Sequence, residues 1–257
     1  MTHGPCGGVG FDGSCEIDAE LACPFVPLET VAWRAGAESG APAGLRHDAS
    51  ADGGNAVGST PAPVSAGAQS LRTLIATRPI VVADFPARAL DARSMADCAG
   101  ALAGSVDAVL SGDHGSARVQ FSPTYRARLI LDAGVMPWNG VNCRDRNRVA
   151  LEGELAGLAD VGTGGVHCVT GDHTDAMPVF DLDSTELAAL ARAAGHLVSV
   201  GESPTTPPVH RRAARLLEKE RAGAELCFVN HCGGAEPVAS FIAEARALGS
   251  RGGFIPC

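Results

Sequence analysis
From about residue 71 onward the chain predicts an α/β fold, a parallel sheet with helices outside. Its count of elements points to a (β/α)8 TIM-type barrel, incomplete at the C-terminus. Three observations predict this. Short apolar runs alternate with longer amphipathic stretches, as strands buried on both faces alternate with covering helices. Glycines (Gly134, Gly195, Gly223, Gly249) follow the helical stretches, where a left-handed C-cap is needed. Charged clusters come directly after apolar runs, where the strands of a parallel barrel hand over to the loops of its mouth.

The predicted strands are Ile80–Phe85, Ala108–Ser111, Met136–Asn142, Val166–Thr170, Leu197–Val200, Leu226–Asn230 and Gly253–Ile255. The predicted helices are Ser94–Ala103, Pro123–Ala133, Arg148–Ala159, Ser184–Ala194, Val209–Ala222 and Pro237–Leu248, with Ser184 as an N-cap that satisfies a free N–H of the first turn. A closed barrel has eight strands and eight helices. Either the sequence is a piece of a longer chain, or a partner subunit or second copy completes the barrel. Upstream, residues 36–70 are rich in Gly, Ala, Ser, Pro and Asp without a period, which reads as a flexible linker. Residues 1–35 form a small cysteine-bearing cap.

Composition narrows the class. Hydrophobic residues make up 46% and aromatics only 4%, so the core is built from Ala, Val and Leu. Lys219 is the only lysine. A net charge of −9 argues against a nucleic-acid partner, because phosphate contacts need clustered cations. No apolar run approaches the ~20 residues of a membrane span. The nine cysteines are odd in number and mostly scattered through apolar runs, which suggests reduced thiols in a cytoplasmic protein.

Three segments carry most of the chemistry: Cys143-Arg-Asp-Arg-Asn-Arg148, then Thr170-Gly-Asp-His173, then Pro178-Val-Phe-Asp-Leu-Asp-Ser184. Arg144, Arg146 and Arg148 on one loop could hold phosphates or a carboxylate tail, or simply bridge helices. Asp113 and His114, Glu202 and His231 follow other strands and are further candidates for a general acid or base. Gly7-Gly-Val-Gly10 follows no strand and is not a dinucleotide fingerprint.

In this order the three segments resemble the methylenetetrahydrofolate reductase family, over roughly residues 72–257 and most closely over 141–187. The resemblance implies an oxidoreductase that interconverts methylene- and methyl-tetrahydrofolate, with FAD carrying hydride and NAD(P)H as a donor. It implies that Asp172 anchors the pterin, its carboxylate accepting two parallel hydrogen bonds. Thr170, His173 and Lys219 would meet the flavin. Asn230, Arg144 and Arg146 would meet folate. The family's strand-one glutamate aligns with Ala83, so Asp84 could replace it only through a shift or bulge of the strand. Otherwise Asp84 faces the helices and the acid is lost. That departure leaves two alternatives open, a flavin-free one-carbon transferase and a non-catalytic folate-binding subunit. His3, Cys6, Cys15 and Cys23 resemble a short cysteine-rich module associated with the family. They would hold a closed zinc site or an iron–sulfur cluster.

Overall fold
A computed structural model describes Glu20, residues 64–114, 117, 119–171, 179, 181–230 and 234–257. The chain divides into a unit Met1–Ser59 and a unit Thr60–Cys257. The second holds every element below.

Seven parallel strands lie in one sheet in sequence order: β1 (Val82–Asp84), β2 (Ala108–Ser111), β3 (Pro137–Asn142), β4 (Gly165–Val169), β5 (Val198–Glu202), β6 (Leu226–Val229) and β7 (Gly253–Pro256). Helices alternate with them. α1 (Ala66–Thr77) precedes β1; α2 (Ala92–Leu102), α3 (Pro123–Asp132), α4 (Arg148–Val161), α5 (Ser184–Ala193), α6 (Arg212–Ala222) and α7 (Ala235–Ala247) follow β1 to β6 in turn. Strand order equal to chain order, all parallel, is how a sheet winds round an axis. The sheet curls: residues of β1 and of β7, its two edges, line one groove of about 760 Å³.

Strand parity sorts the side chains. On the convex side, Val141, Val166, Cys168, Val198, Val200, Cys227 and Val229 pack with Leu151, Leu155, Leu158, Leu187 and Leu216 of the helices. On the concave side, Trp138, Leu226 and Phe228 pack with Ala68 and Leu71 of α1. Trp138 is fully buried, edge-on to Phe228 at 5.2 Å, and its Nε1–H donates to Ser199 Oγ at 2.9 Å. An indole buried in a core of few aromatics needs such an acceptor.

Most helix ends fall within one to three residues of the expected ones, and two differences change what a residue does. Residues 66–70, assigned to a linker, belong to α1. Ser65 Oγ caps this helix by accepting from Ala68 N and donates to the Thr163 carbonyl, while Ala68 and Leu71 are buried. The N-cap of α5 is Asp183 rather than Ser184, with a reciprocal capping box to Glu186. Of the expected C-cap glycines, Gly134 and Gly195 have φ of 84° and Gly249 of 100°, while Gly223, at φ of 132°, lies outside the left-handed helical region.

The described cysteines Cys98, Cys143, Cys168, Cys227 and Cys257 are free thiols. Burial pushes Cys143 up to about 12, and Cys168 and Cys227 up as well, so these are packing residues rather than nucleophiles. Among the described residues no helix is long and apolar enough to cross a membrane.

Candidate functional site
The carboxyl ends of β2, β3 and β4 enclose a cavity of about 270 Å³ lined by Leu110, Gly112, Asp113, Asn142, Arg144 and His167 among others. Two backbone positions make room for it. A Cβ on Gly140 would stand 2.8 Å from Gly112 Cα, so β2 and β3 meet glycine to glycine. Gly171, with φ of 98°, turns the chain after β4 against Arg144, whose Cβ lies 2.7 Å from where a Gly171 Cβ would be.

Asp113 is the hub of the wall. It accepts from Arg126 Nη2 and Arg146 Nη1, each at 2.7 Å, and from the side-chain amide of Asn142 in a very short contact. Arg126 comes from α3 and is 3% exposed. Its Nη1 also donates to Gln120 Oε1 at 3.2 Å. Two guanidiniums against one carboxylate leave an excess positive charge at the wall. Among the described residues, two buried polar atoms of this cluster, Arg126 Nε and Asn142 Oδ1, have no hydrogen-bond partner, which a bound water, ion or ligand would supply. Arg144 bonds its neighbour Asp145 through Nε at 2.7 Å while lining the cavity.

His167 forms part of the floor. Its Nδ1 lies 3.0 Å from Ser199 Oγ, and the Phe228 ring meets it edge-on at 5.0 Å. Burial, with the charge of Lys219 adding to it, pushes the imidazole down to about 4, so the ring is neutral near pH 7.

A second charged cluster lies on the other face of the sheet. Glu202 ends β5 and is fully buried, bonded to Lys219 Nζ at 2.6 Å and to Arg212 Nη1 at 3.4 Å. Lys219 also donates to the Gly201 carbonyl at 2.9 Å.

The residues expected from sequence are placed as follows. Arg144 lines the cavity, Arg146 bonds Asp113, which lines it, and Arg148 pairs with Glu152 on the surface of α4. Asp84 follows Ala83, which packs with Val109, Ala99 and Ile130 on the helix side. Without any bulge, therefore, Asp84 takes the concave side, but it is exposed and does not line the cavity. Its charge is felt at Cys257, beyond β7. Asn230 is exposed at the end of β6. Thr170 Oγ1 accepts from Ser184 N at 3.0 Å and so helps start α5 instead of facing a cofactor. Lys219 is committed to Glu202, not to a phosphate. His114 Nε2 lies 2.8 Å from the Ala87 carbonyl, a structural contact. Asp172, His173, His231 and the expected metal ligands His3, Cys6, Cys15 and Cys23 lie outside the described residues. Sequence reasoning missed Arg126, Asn142, His167 and Ser199. The available signal was a polar residue at a concave position of a strand, or an arginine on the sheet-facing side of a helix.

No protein-family profile matches the chain, and no curated protein matches it in sequence. Solved structures do. It is similar to 2,3-dimethylmalate lyase, a PEP mutase/isocitrate lyase superfamily member, with 16% identity over 75% of this chain and 80% of that one, at a TM-score of 0.52. It is also similar to phosphonopyruvate hydrolase, solved with oxalate and Mg2+, with 13% identity over 74% and 71% of the two chains, at a TM-score of 0.55. These likenesses concern the fold. They correct the folate-reductase resemblance, because the similar folds are those of lyases and hydrolases. The expected oxidoreductase, its one-carbon alternatives, FAD, tetrahydrofolate and the zinc or iron–sulfur cluster fall with it. The physical reason is that an arginine-rich loop or an Asp-bearing turn after a strand marks the mouth of any parallel barrel, whatever the chemistry. The side chains assigned to flavin, Lys219 and Thr170, have structural partners instead.

Proposed function
We propose that this protein is an enzyme of the lyase, mutase or hydrolase kind that binds a small 2-oxo or 2-hydroxy carboxylate at the mouth formed by β2, β3 and β4. The observation that carries this reading is a concave cavity lined by Arg144, Asn142 and Asp113, with the guanidiniums of Arg126 and Arg146 bonded to Asp113. Guanidinium is suited to a carboxylate by its planar fork of donors. A cavity of about 270 Å³ fits an acid of a few carbons; drug-sized ligands take ~300–1,000 Å³. The similar folds agree in kind, one named for cleaving a dimethylmalate and one solved with oxalate.

The Mg2+ of that second structure does not fit the described residues. Magnesium asks for an open set of oxygen ligands. Here the Asp113 carboxylate is taken by two arginines and an amide, and Glu202 by Lys219 and Arg212. Among the described residues no group of three His, Cys, Asp or Glu side chains could hold a metal ion. The chain's own groups bind and orient: the arginines hold a carboxylate, and the glycines at 112 and 140 let it approach the backbone.

The finer architecture belongs to the same reading. We infer a (β/α)8 barrel in which the groove between β1 and β7, lined by Ile75, Ile80, Val82, Phe254 and Ile255, receives an eighth strand. The support is two sheet edges facing one apolar groove, since unpaired edges seek a strand. A second copy or a partner subunit supplies it if the chain itself does not; sedimentation at several concentrations distinguishes these.

Calorimetric titration with oxalate and a panel of small 2-oxo and 2-hydroxy acids tests the site, followed by NMR detection of their cleavage. Arg146→Ala should weaken oxalate binding about tenfold to a hundredfold, the worth of one charge-assisted contact. It should also lower the thermal midpoint, because buried Asp113 loses one of its two counter-charges, so affinity is compared in the folded fraction. Equal binding by wild type and Arg146→Ala would sink the assignment.

A further inference from the structure
Beside the arginine cluster stands an imidazole that holding a carboxylate does not require. His167 is on β4, paired with Gly140 of β3 on one side and Ser199 of β5 on the other. The Trp138 indole N–H can only donate, so its bond at 2.9 Å occupies one lone pair of Ser199 Oγ. The single hydroxyl proton of Ser199 then has two acceptors in reach, His167 Nδ1 at 3.0 Å and the Val166 carbonyl at 3.3 Å. If the proton goes to the nearer acceptor, Nδ1 accepts; if it goes to the Val166 carbonyl, Nδ1–H donates into the second lone pair of Oγ. A neutral imidazole whose Nδ1 accepts carries its proton on Nε2.

The other end of the ring is open. Among the described residues His167 makes its hydrogen bond only through Nδ1, and it lines the cavity with Asp113, Asn142 and Arg144. Nε2 lies 3.5 Å from where a Cβ would stand on Gly201, so a glycine there keeps the ring's edge uncovered. Phe228 fixes the ring plane from the side.

We propose that His167 is a substrate-contacting donor: the Trp138–Ser199 relay holds it as the Nε2–H tautomer, and Nε2–H donates to a carbonyl or carboxylate oxygen of the bound acid. The inference rests on the carboxylate site proposed above and assigns the second of its two contacts. The guanidiniums hold charge at one end of the acid, and a neutral donor meets an oxygen at the other. A neutral imidazole donor in a dry site polarises a carbonyl without moving a proton in the ground state.

The test uses the full chain with 15N-labelled histidine. Long-range 1H–15N spectra, assigned by the signal lost in His167→Gln, should show Nε2 protonated and should shift on adding oxalate. An Nδ1–H tautomer, or a ring unmoved by saturating oxalate, overturns the proposal. In titrations His167→Leu should lose about tenfold in oxalate affinity, while His167→Gln, whose amide nitrogen can stand near the Nε2 position, keeps most of it. Equal losses in the two variants would also overturn it. If His167→Leu does not fold, the wild-type spectra still decide. Oxalate binding lost in Arg146→Ala but intact in both His167 variants rejects the donor and keeps the site. No binding by wild type rejects the site itself and the contact with it.

Discussion

Asp113 and Glu202 are both buried carboxylates at the ends of strands, and each is held by two cations. Charge arithmetic does not tell them apart; what each borders does. Asp113 follows β2 and borders the concave cavity, with two unpartnered polar atoms in its cluster. Glu202 shares the convex side with Val200 and meets Lys219 from α6, so it ties β5 to its covering helix. Its second cation, Arg212, also donates to the carbonyls of Thr206 and Pro207. Asp113 lies beyond the last residue of β2, so the loop and not strand parity brings it to the cavity, whereas Glu202 is held within β5 on its covering helix.

The comparison breaks most visibly at Lys219. Lys219→Met leaves Glu202 without its closest counter-charge, and removing one partner of a buried pair costs about 3–5 kcal/mol. Urea midpoints should fall accordingly, with oxalate affinity unchanged in the folded fraction. Adding Glu202→Gln should recover most of the loss, because the uncompensated charge goes with it. A loss of affinity at full stability would instead place Lys219 in the site.

Acid separates the two regions next. The His167 imidazole is held down to about 4 from an ordinary 6.5, chiefly by burial. Between those values the unfolded chain binds a proton that the folded one does not, so stability rises with pH. The contribution is full above about 6.5 and is lost as pH falls from there through about 4, on the order of 3 kcal/mol in all. His196, also lowered by burial, adds to the same slope. Denaturant midpoints of wild type should therefore drop from pH 7 to pH 5, and those of His167→Gln should drop less. Parallel slopes would show that His167 is solvated in the folded protein.

Much of the fold was legible because burial on both faces writes strands as short apolar runs; β2 begins and ends where the pattern places it. Helix ends were legible through glycines such as Gly134 and Gly195. α1 was hidden, since its first turns of Ala, Gly and Ser read as a linker, although Gly67, Ala68 and Leu71 are buried and Leu74 and Ile75 pack on the core. The site was legible in part. Arg144, Arg146 and Asp113 are charges that directly follow strands. Arg126 reaches Asp113 from mid-helix, and His167 and Ser199 acquire meaning only when two strands are in register. Motifs located the mouth but not its chemistry: the likeness carried by the segments at 143–148 and 170–173 marks strand-to-loop junctions, which folds of different chemistry share.

Gly201 is where the two regions touch, and it gives the smallest and sharpest test. Its carbonyl accepts from Lys219, on the side of the staple, while its missing side chain faces His167, on the side of the cavity. Its φ lies outside the left-handed region, and an added methyl would meet Nε2 and Cε1 of His167 at 3.5 and 3.7 Å, ordinary contact distances. Gly201→Ala should thus keep the Lys219 bond and change stability by no more than about 1 kcal/mol, with reduced unfolded-chain entropy favouring the variant. The same methyl covers the edge of the imidazole that an acid must reach. Oxalate affinity should fall several-fold with the urea midpoint unchanged. Unchanged affinity and unchanged stability together would mean that the bound acid lies wholly against the arginine wall and leaves His167 untouched.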